Sequence, residues 1–272
     1  MYEEYFGFKE KPFSHTPNTK FLYLSEQHDA ALRTLLYGIE SRSGFMMLTG
    51  EVGSGKTTTI RTLLNLVADS VETCYIFNPL LNTLDLLKGI NKDLGLEWES
   101  ESCQVQIERL NQHLLAINQQ GKTAVAIIDE AQNLSHEALE MVRMLSNLET
   151  ESQKLLNIIL VGQPELTEKL ASRELRQLSQ RIQVHVQLCP LSLNQTYGYI
   201  EHRLNTSGER VSARFEKDAI KRIFKKSKGI PRLINNLCDL SLLAAFTQNT
   251  YIIDKNIIKK AMKEVPHYVY HS

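Results

Sequence analysis

A chain of 272 residues, 42% of them hydrophobic, is long enough to bury one large core or two modest ones. Its 31 Lys and Arg balance its 31 Asp and Glu, which disfavours a protein that holds nucleic acid chiefly by neutralising phosphates. Cys74, Cys103, Cys189 and Cys238 form no Cys-x-x-Cys pair, which excludes the usual zinc and disulfide frameworks. No window approaches the roughly 18 apolar residues of a membrane span.

Residues 1–25 are rich in aromatics and turn formers (Tyr5, Phe6, Phe8, Pro12, Phe13, Pro17, Phe21, Tyr23) and read as an irregular segment packed on a domain surface. The acidic, aromatic start does not read as a secretory leader. Ser25 caps a predicted helix running to about Glu40, with Ala31, Leu32, Leu35, Leu36 and Ile39 on one face. A buried strand at 45–48 leads into Thr49-Gly50, a helix follows from Gly55 to about Ala68, and a strand spans 71–77, closed by Asn78-Pro79. Helices are expected near 83–94 and 105–119. An uninterrupted apolar strand covers 123–128, Ser135 caps a helix, and further strands cover 155–161 and 182–188. Strands alternating with helices predict a parallel sheet covered on both faces. After Cys189-Pro190 only helices are read, at 192–206, 216–227, 230–247 and 255–264. The expectation is an α/β domain over 1–190, including the aromatic segment, and a small all-helical domain over 191–272.

Gly50-Glu51-Val52-Gly53-Ser54-Gly55-Lys56-Thr57 fits Gly-x-x-x-x-Gly-Lys-Ser/Thr in full, between an apolar strand and a helix. Its glycines let successive N–H groups turn inward toward phosphate oxygens, and the helix adds the positive end of its dipole. Lys56 supplies a full charge for the β- and γ-phosphates, the Thr57 hydroxyl a ligand for Mg2+, and Thr58 continues the cradle. The implied ligand is ATP with magnesium. Ala124-Val125-Ala126-Ile127-Ile128 ends in Asp129-Glu130. An isolated Asp-Glu is ordinarily a solvated turn. Downstream of a complete P-loop, Asp129 reads as the second magnesium-holding residue and Glu130 as the group that orients and activates the attacking water.

Together with the helical C-terminal part, these motifs resemble the AAA+ ATPases, and more closely the ExeA-like ATPases. The closer resemblance rests on Tyr5-Phe6-Gly7-Phe8, Leu22-Tyr23-Leu24-Ser25, Leu145-Ser146-Asn147-Leu148-Glu149, Val161-Gly162-Gln163-Pro164-Glu165-Leu166, Leu175-Arg176-Gln177-Leu178-Ser179-Gln180-Arg181 and Gly229-Ile230-Pro231-Arg232-Leu233-Ile234-Asn235. It implies that Gln163 is a polar sensor of the γ-phosphate. It implies that Arg232 reaches back to the nucleotide from the helical domain, and that Arg181, in preference to Arg176, is an arginine finger inserted into a neighbouring subunit's site. Its alternatives are a strand-ending turn residue, a helix-cap arginine and ordinary ion pairs. The resemblance further implies ATP-dependent self-association into a ring and a cytoplasmic protein, placed at the inner face of the inner membrane by a partner. That partner would belong to a bacterial envelope system such as type II secretion, a pilus or exopolysaccharide export. The competing expectation is a DNA-directed ATPase such as a transposition regulator. The basic stretch Lys217, Lys221, Arg222, Lys225, Lys226 and Lys228 reads as a solvated helix face, the other reading being a docking site for an acidic partner or nucleic acid. The scattered histidines do not have metal-ligand spacing.

Overall fold

The structure is a computed structural model that describes residues 2–16, 18–77, 82–96, 100–209 and 211–264. In chain order the elements are α1 (Tyr2–Phe6), α2 (Glu26–Glu40), β1 (Phe45–Gly50), α3 (Lys56–Val67), β2 (Val71–Ile76), α4 (Thr83–Asp93), α5 (Cys103–Gln119), β3 (Thr123–Ile128), α6 (His136–Leu145), β4 (Leu156–Gly162), α7 (Pro164–Leu170), α8 (Arg176–Ser179), β5 (Val184–Leu188), α9 (Leu193–Ser207), β6 (Arg214–Phe215), α10 (Lys217–Ser227), α11 (Pro231–Thr247), β7 (Ile252–Ile253) and α12 (Lys255–Glu264). Pro17, the expected strand stop Asn78-Pro79 and Trp98 lie outside the described residues.

By packing the chain forms two compact units. One comprises residues 29–50 and 59–188 and holds a five-stranded sheet in the order β2-β3-β4-β1-β5, every neighbouring pair parallel. Every residue of β1 and β4 is buried, as are five of the six in β3. Since successive side chains point to opposite faces, both faces of these central strands are covered, which is why their sequences are mainly apolar, with Asn157 of β4 a buried exception whose Oδ1 accepts the Gly44 N–H at 3.0 Å. β5 alternates between covered and exposed positions, as an edge strand does. α4 packs on β2, α5 on β3 and α7 on β1, and the core joins Phe45, Leu87, Leu110, Ile128, Leu139 and Ile158 with their neighbours. Side-chain caps at Asn82, Ser102 and Ser135 set the starts of α4, α5 and α6 by accepting orphan backbone N–H groups.

The other unit takes in the described residues among 1–28, 51–58 and 189–272. Here the expectation that the aromatic N-terminal segment belongs with the α/β part does not hold. Tyr2, Phe6, Phe8 and Phe13 are buried in one cluster with Ile200, Leu204, Phe215, Ile234, Leu237 and Ile258 from the C-terminal helices. A short aromatic-rich run has no core of its own and is stabilised only where apolar surface is offered to it. The junction is polar as well as apolar. Arg203, 8% exposed, donates Nη1 to Tyr199 Oη at 2.9 Å and Nε to the Pro12 carbonyl, and its guanidinium stacks over the Phe21 ring. Two further corrections follow. Residues 2–6 are helical rather than irregular, and the C-terminal part is not wholly helical, because β6 and β7 pair in parallel. Gly229 stands at φ +80°, and a Cβ there would lie 2.0 Å from the Leu191 carbonyl oxygen, so glycine is required just before α11.

Candidate functional site

In the unit that holds it, the glycine-rich loop 51–58 is a bent backbone with a buried floor. Gly53 and Gly55 take φ of +80° and +104°, conformations open to glycine. Lys56 is 6% exposed and donates Nζ to the Glu51 carbonyl at 3.1 Å. Glu51 and Val52 are exposed, and Gly53, Thr57 and Thr58 are half-buried. Ser54 is 1% exposed, and its hydroxyl makes no hydrogen bond. The Arg232 N–H, at the start of α11, donates to the Gly53 carbonyl at 3.2 Å, and the Arg232 side chain is exposed. His28 lies beneath the loop, 4% exposed. Its Nδ1 is 2.7 Å from Ser25 Oγ and its Nε2 is 3.2 Å from the Ser54 carbonyl, so Nε2 carries the hydrogen and Nδ1 accepts. Burial pushes the His28 imidazole below its ordinary range, which keeps it neutral. His28 lies far from the motif in sequence, and no local pattern of residues links it to the loop.

In the sheet unit, the acidic pair follows β3. Asp129 is 1% exposed, and both its oxygens are engaged: Oδ1 accepts the Glu130 N–H at 2.9 Å and Oδ2 accepts the Tyr75 hydroxyl at 2.6 Å. Burial and the neighbouring Asp129 push the Tyr75 phenol well above its ordinary range, so it stays a donor. Glu130 is held at φ +53°, a left-handed conformation that non-glycine residues rarely adopt. Its Oε2 accepts Gln132 Nε2 at 2.6 Å and Gln163 Nε2 at 3.1 Å, while Gln132 Oε1 accepts the Gln163 N–H at 3.2 Å. The structure thus brings Glu130 and Gln163 together and adds Gln132 and Tyr75, which sequence reasoning missed. Gln132 was within reach as the fourth residue of Asp129-Glu130-Ala131-Gln132. Tyr75 was not, because only strand pairing carries it to Asp129.

Register places these residues at one edge of the sheet. Thr49 pairs with Gly162, and Ile128 with Leu160, so the loop after β1, the acids after β3 and Gln163 after β4 all leave from the carboxyl ends of parallel strands. Ligands of open α/β sheets bind at that edge. Arg181 lies at the opposite edge, ahead of β5 and half-buried. Its Nη1 donates to Ser146 Oγ at 2.9 Å and to Asn147 Oδ1, in a cavity of about 360 Å³ that Ser43, Phe45 and Lys154 also line. Arg176 is exposed on α8. The basic stretch lies on α10 and its cap, with Lys217, Lys221, Arg222, Lys225 and Lys228 exposed.

The donors fit the group that the loop implies. A buried carboxylate and a threonine hydroxyl are hard oxygen ligands of the kind magnesium takes, and the loop offers a left-handed glycine backbone, a lysine and an unpaired buried hydroxyl. Among the described residues no group of three His, Cys, Asp or Glu side chains converges as a metal cluster, and no helix is long and apolar enough to cross a membrane.

Comparison with known proteins agrees with this geometry. Residues 39–170 match the family described as AAA domain. General secretion pathway protein A of Aeromonas hydrophila is 43% identical over 266 residues, covering 97% of this chain and 48% of that protein. An uncharacterized HTH-type transcriptional regulator of Methanocaldococcus jannaschii is 26% identical over 184 residues, 66% of this chain and 44% of that protein. The chain therefore spans about half the length of the curated relatives it matches. Among solved structures, the Aeropyrum pernix ORC2 protein in its ADPNP–ADP complexes superposes with a TM-score of 0.72 at 18% identity, over 95% of this chain and 72% of that one. Cdc6p of Pyrobaculum aerophilum gives 0.69 at 19%, over 96% and 72%. The RuvB branch migration motor of Thermotoga maritima gives 0.55 at 18%, over 88% and 69%. These structures share the fold, a parallel-sheet P-loop core followed by a helical region. With its complete P-loop and parallel sheet, the chain is similar to the AAA domain family over residues 39–170 and, over nearly its whole length, to general secretion pathway protein A.

Proposed function

We propose that the chain binds ATP with magnesium on the loop 50–58 and hydrolyses it with Glu130. The observation that carries this reading is the shared sheet edge, where the glycine-rich loop, Asp129-Glu130 and Gln163 leave β1, β3 and β4 side by side. Backbone N–H groups from Gly50 to Gly55, with Ser54, cradle the phosphates; Lys56 holds the β- and γ-phosphates, and Thr58 extends the cradle. Thr57 and Asp129 hold the magnesium, which when bound neutralises charge developing on the phosphate oxygens. Glu130 orients the attacking water and takes up its proton, with Gln163 and Gln132 fixing its carboxylate. Arg232 contacts the nucleotide from the helical unit. Arg181, at the opposite sheet edge, completes the site of a neighbouring copy, so turnover depends on self-association into a ring.

The work done is assembly or regulation of a bacterial envelope apparatus, through an inner-membrane or secretion-apparatus partner that brings a cytoplasmic protein to the membrane. Similarity to general secretion pathway protein A supports this role, whereas the balanced charge gives no support to a DNA-directed one. The test is a pair of variants read by nucleotide titration and phosphate release. Lys56→Ala is expected to abolish ATP binding. Glu130→Gln is expected to bind ATP normally and to lose turnover by about 10²–10⁴-fold. Normal hydrolysis by Glu130→Gln would overturn the mechanism.

A further inference from the structure

Tyr75 stands on β2 opposite Ile127, one pair before the strand's last residue, Ile76, pairs with Ile128. That register carries its phenol past the end of β3 to the first residue beyond it, where the hydroxyl meets Asp129 Oδ2 at 2.6 Å. On the other oxygen, Oδ1 accepts the Glu130 N–H at 2.9 Å. Two donors, one on each oxygen, fix the plane and the rotation of the carboxylate. Arg61 of α3 and Glu130 are the other charged groups that act on the phenol, so the hydroxyl sits among the charges at this edge of the sheet. Phenylalanine would fill the same place on β2 and pack as well. The hydroxyl is the part of the side chain that packing does not require.

We infer that Tyr75 is a positioning residue for Asp129, setting the carboxylate's orientation toward a divalent cation that arrives with the nucleotide. The inference rests on the reading of Asp129 as a magnesium-holding residue. Outer partners of this kind fix the direction of a metal-holding carboxylate, and their loss typically weakens metal affinity by about 10–100-fold.

The experiment titrates Mg2+ into the full chain with a fluorescent ATP analogue and compares wild type, Tyr75→Phe and Asp129→Asn. It also records the analogue's affinity in chelator and each protein's melting temperature. For Tyr75→Phe the Mg2+ midpoint is expected to rise about 10–100-fold, with affinity in chelator and melting temperature unchanged. A midpoint unmoved by Tyr75→Phe but raised by Asp129→Asn would overturn the inference and leave the reading of Asp129 standing. A midpoint unmoved by both would overturn that reading and the inference with it. Parallel losses in melting temperature and in chelator affinity for Tyr75→Phe would show a structural role instead and also overturn the inference.

Discussion

A Cβ placed on Gly53 would stand 2.3 Å from the Cβ of Arg232, whose N–H donates to the Gly53 carbonyl at 3.2 Å. The glycine is required twice over, by its φ of +80° and by this close approach. Gly53→Ala is therefore expected to incur about 1–2 kcal/mol of left-handed backbone strain and, beyond that, to push α11 off the loop. Nucleotide affinity should fall at least about tenfold, which is roughly 1.4 kcal/mol, in an equilibrium titration. Unchanged affinity would show that the loop tolerates the displacement.

Gln163 and Gln132 both donate to Glu130 Oε2. A hydrogen bond to a charged group is worth about 1.5–3 kcal/mol, so Gln163→Ala or Gln132→Ala should lower kcat by about 10–100-fold and leave nucleotide affinity in place. The double variant should lose less than the product of the single losses, because the two amides and the carboxylate form one network. Steady-state phosphate release alongside nucleotide titration separates these outcomes from a general loss of folding.

The buried imidazole of His28 ties stability to pH. Burial lowers its folded pKa below the unfolded value of about 6.5, so the unfolded chain takes up the proton first as pH falls. Its contribution is thus present above about pH 6.5 and is lost as pH falls toward the folded value. His185 and His202 shift in the same direction, so the wild-type slope is a sum, and the difference between wild type and His28→Gln isolates His28. Urea midpoints at pH 7.5 and 5.5 are expected to differ more for wild type than for the variant.

Arg181 is anchored by Ser146 and Asn147 at the sheet edge away from the glycine-rich loop. Arg181→Ala should bind ATP normally and lose turnover by about 10³-fold or more, the usual effect of removing an arginine finger. Mixing Arg181→Ala with Glu130→Gln should restore part of the activity, since some sites then draw an intact finger and an intact glutamate from different copies. Absence of recovery would count against action in trans. A larger loss in Arg176→Ala than in Arg181→Ala would transfer the role to Arg176.

The central strands were legible because burial on both faces leaves its mark in sequence: β1, β3 and β4 are mainly apolar, with Asn157 the buried polar exception inside β4, and the structure ends them within two residues of the expected places. Ser135 and the glycine-rich loop were legible because caps and phosphate cradles use a few residue types at fixed offsets. α7 and α8 were missed, being short segments with little periodicity to read, and so were the two-residue strands β6 and β7.

The glycine-rich loop, the acids that end β3 and the alternation of strands with helices can be read from the residues alone, because each is written in neighbouring positions. Folding alone brings Tyr75 to Asp129, joins Gln132 and Gln163 at Glu130, and buries Phe6 and Phe13 with Ile200 and Ile234. Those pairings depend on strand register and on where distant apolar surfaces find cover. Both are settled by burial and hydrogen bonding across the whole chain, and no local run of residues records them.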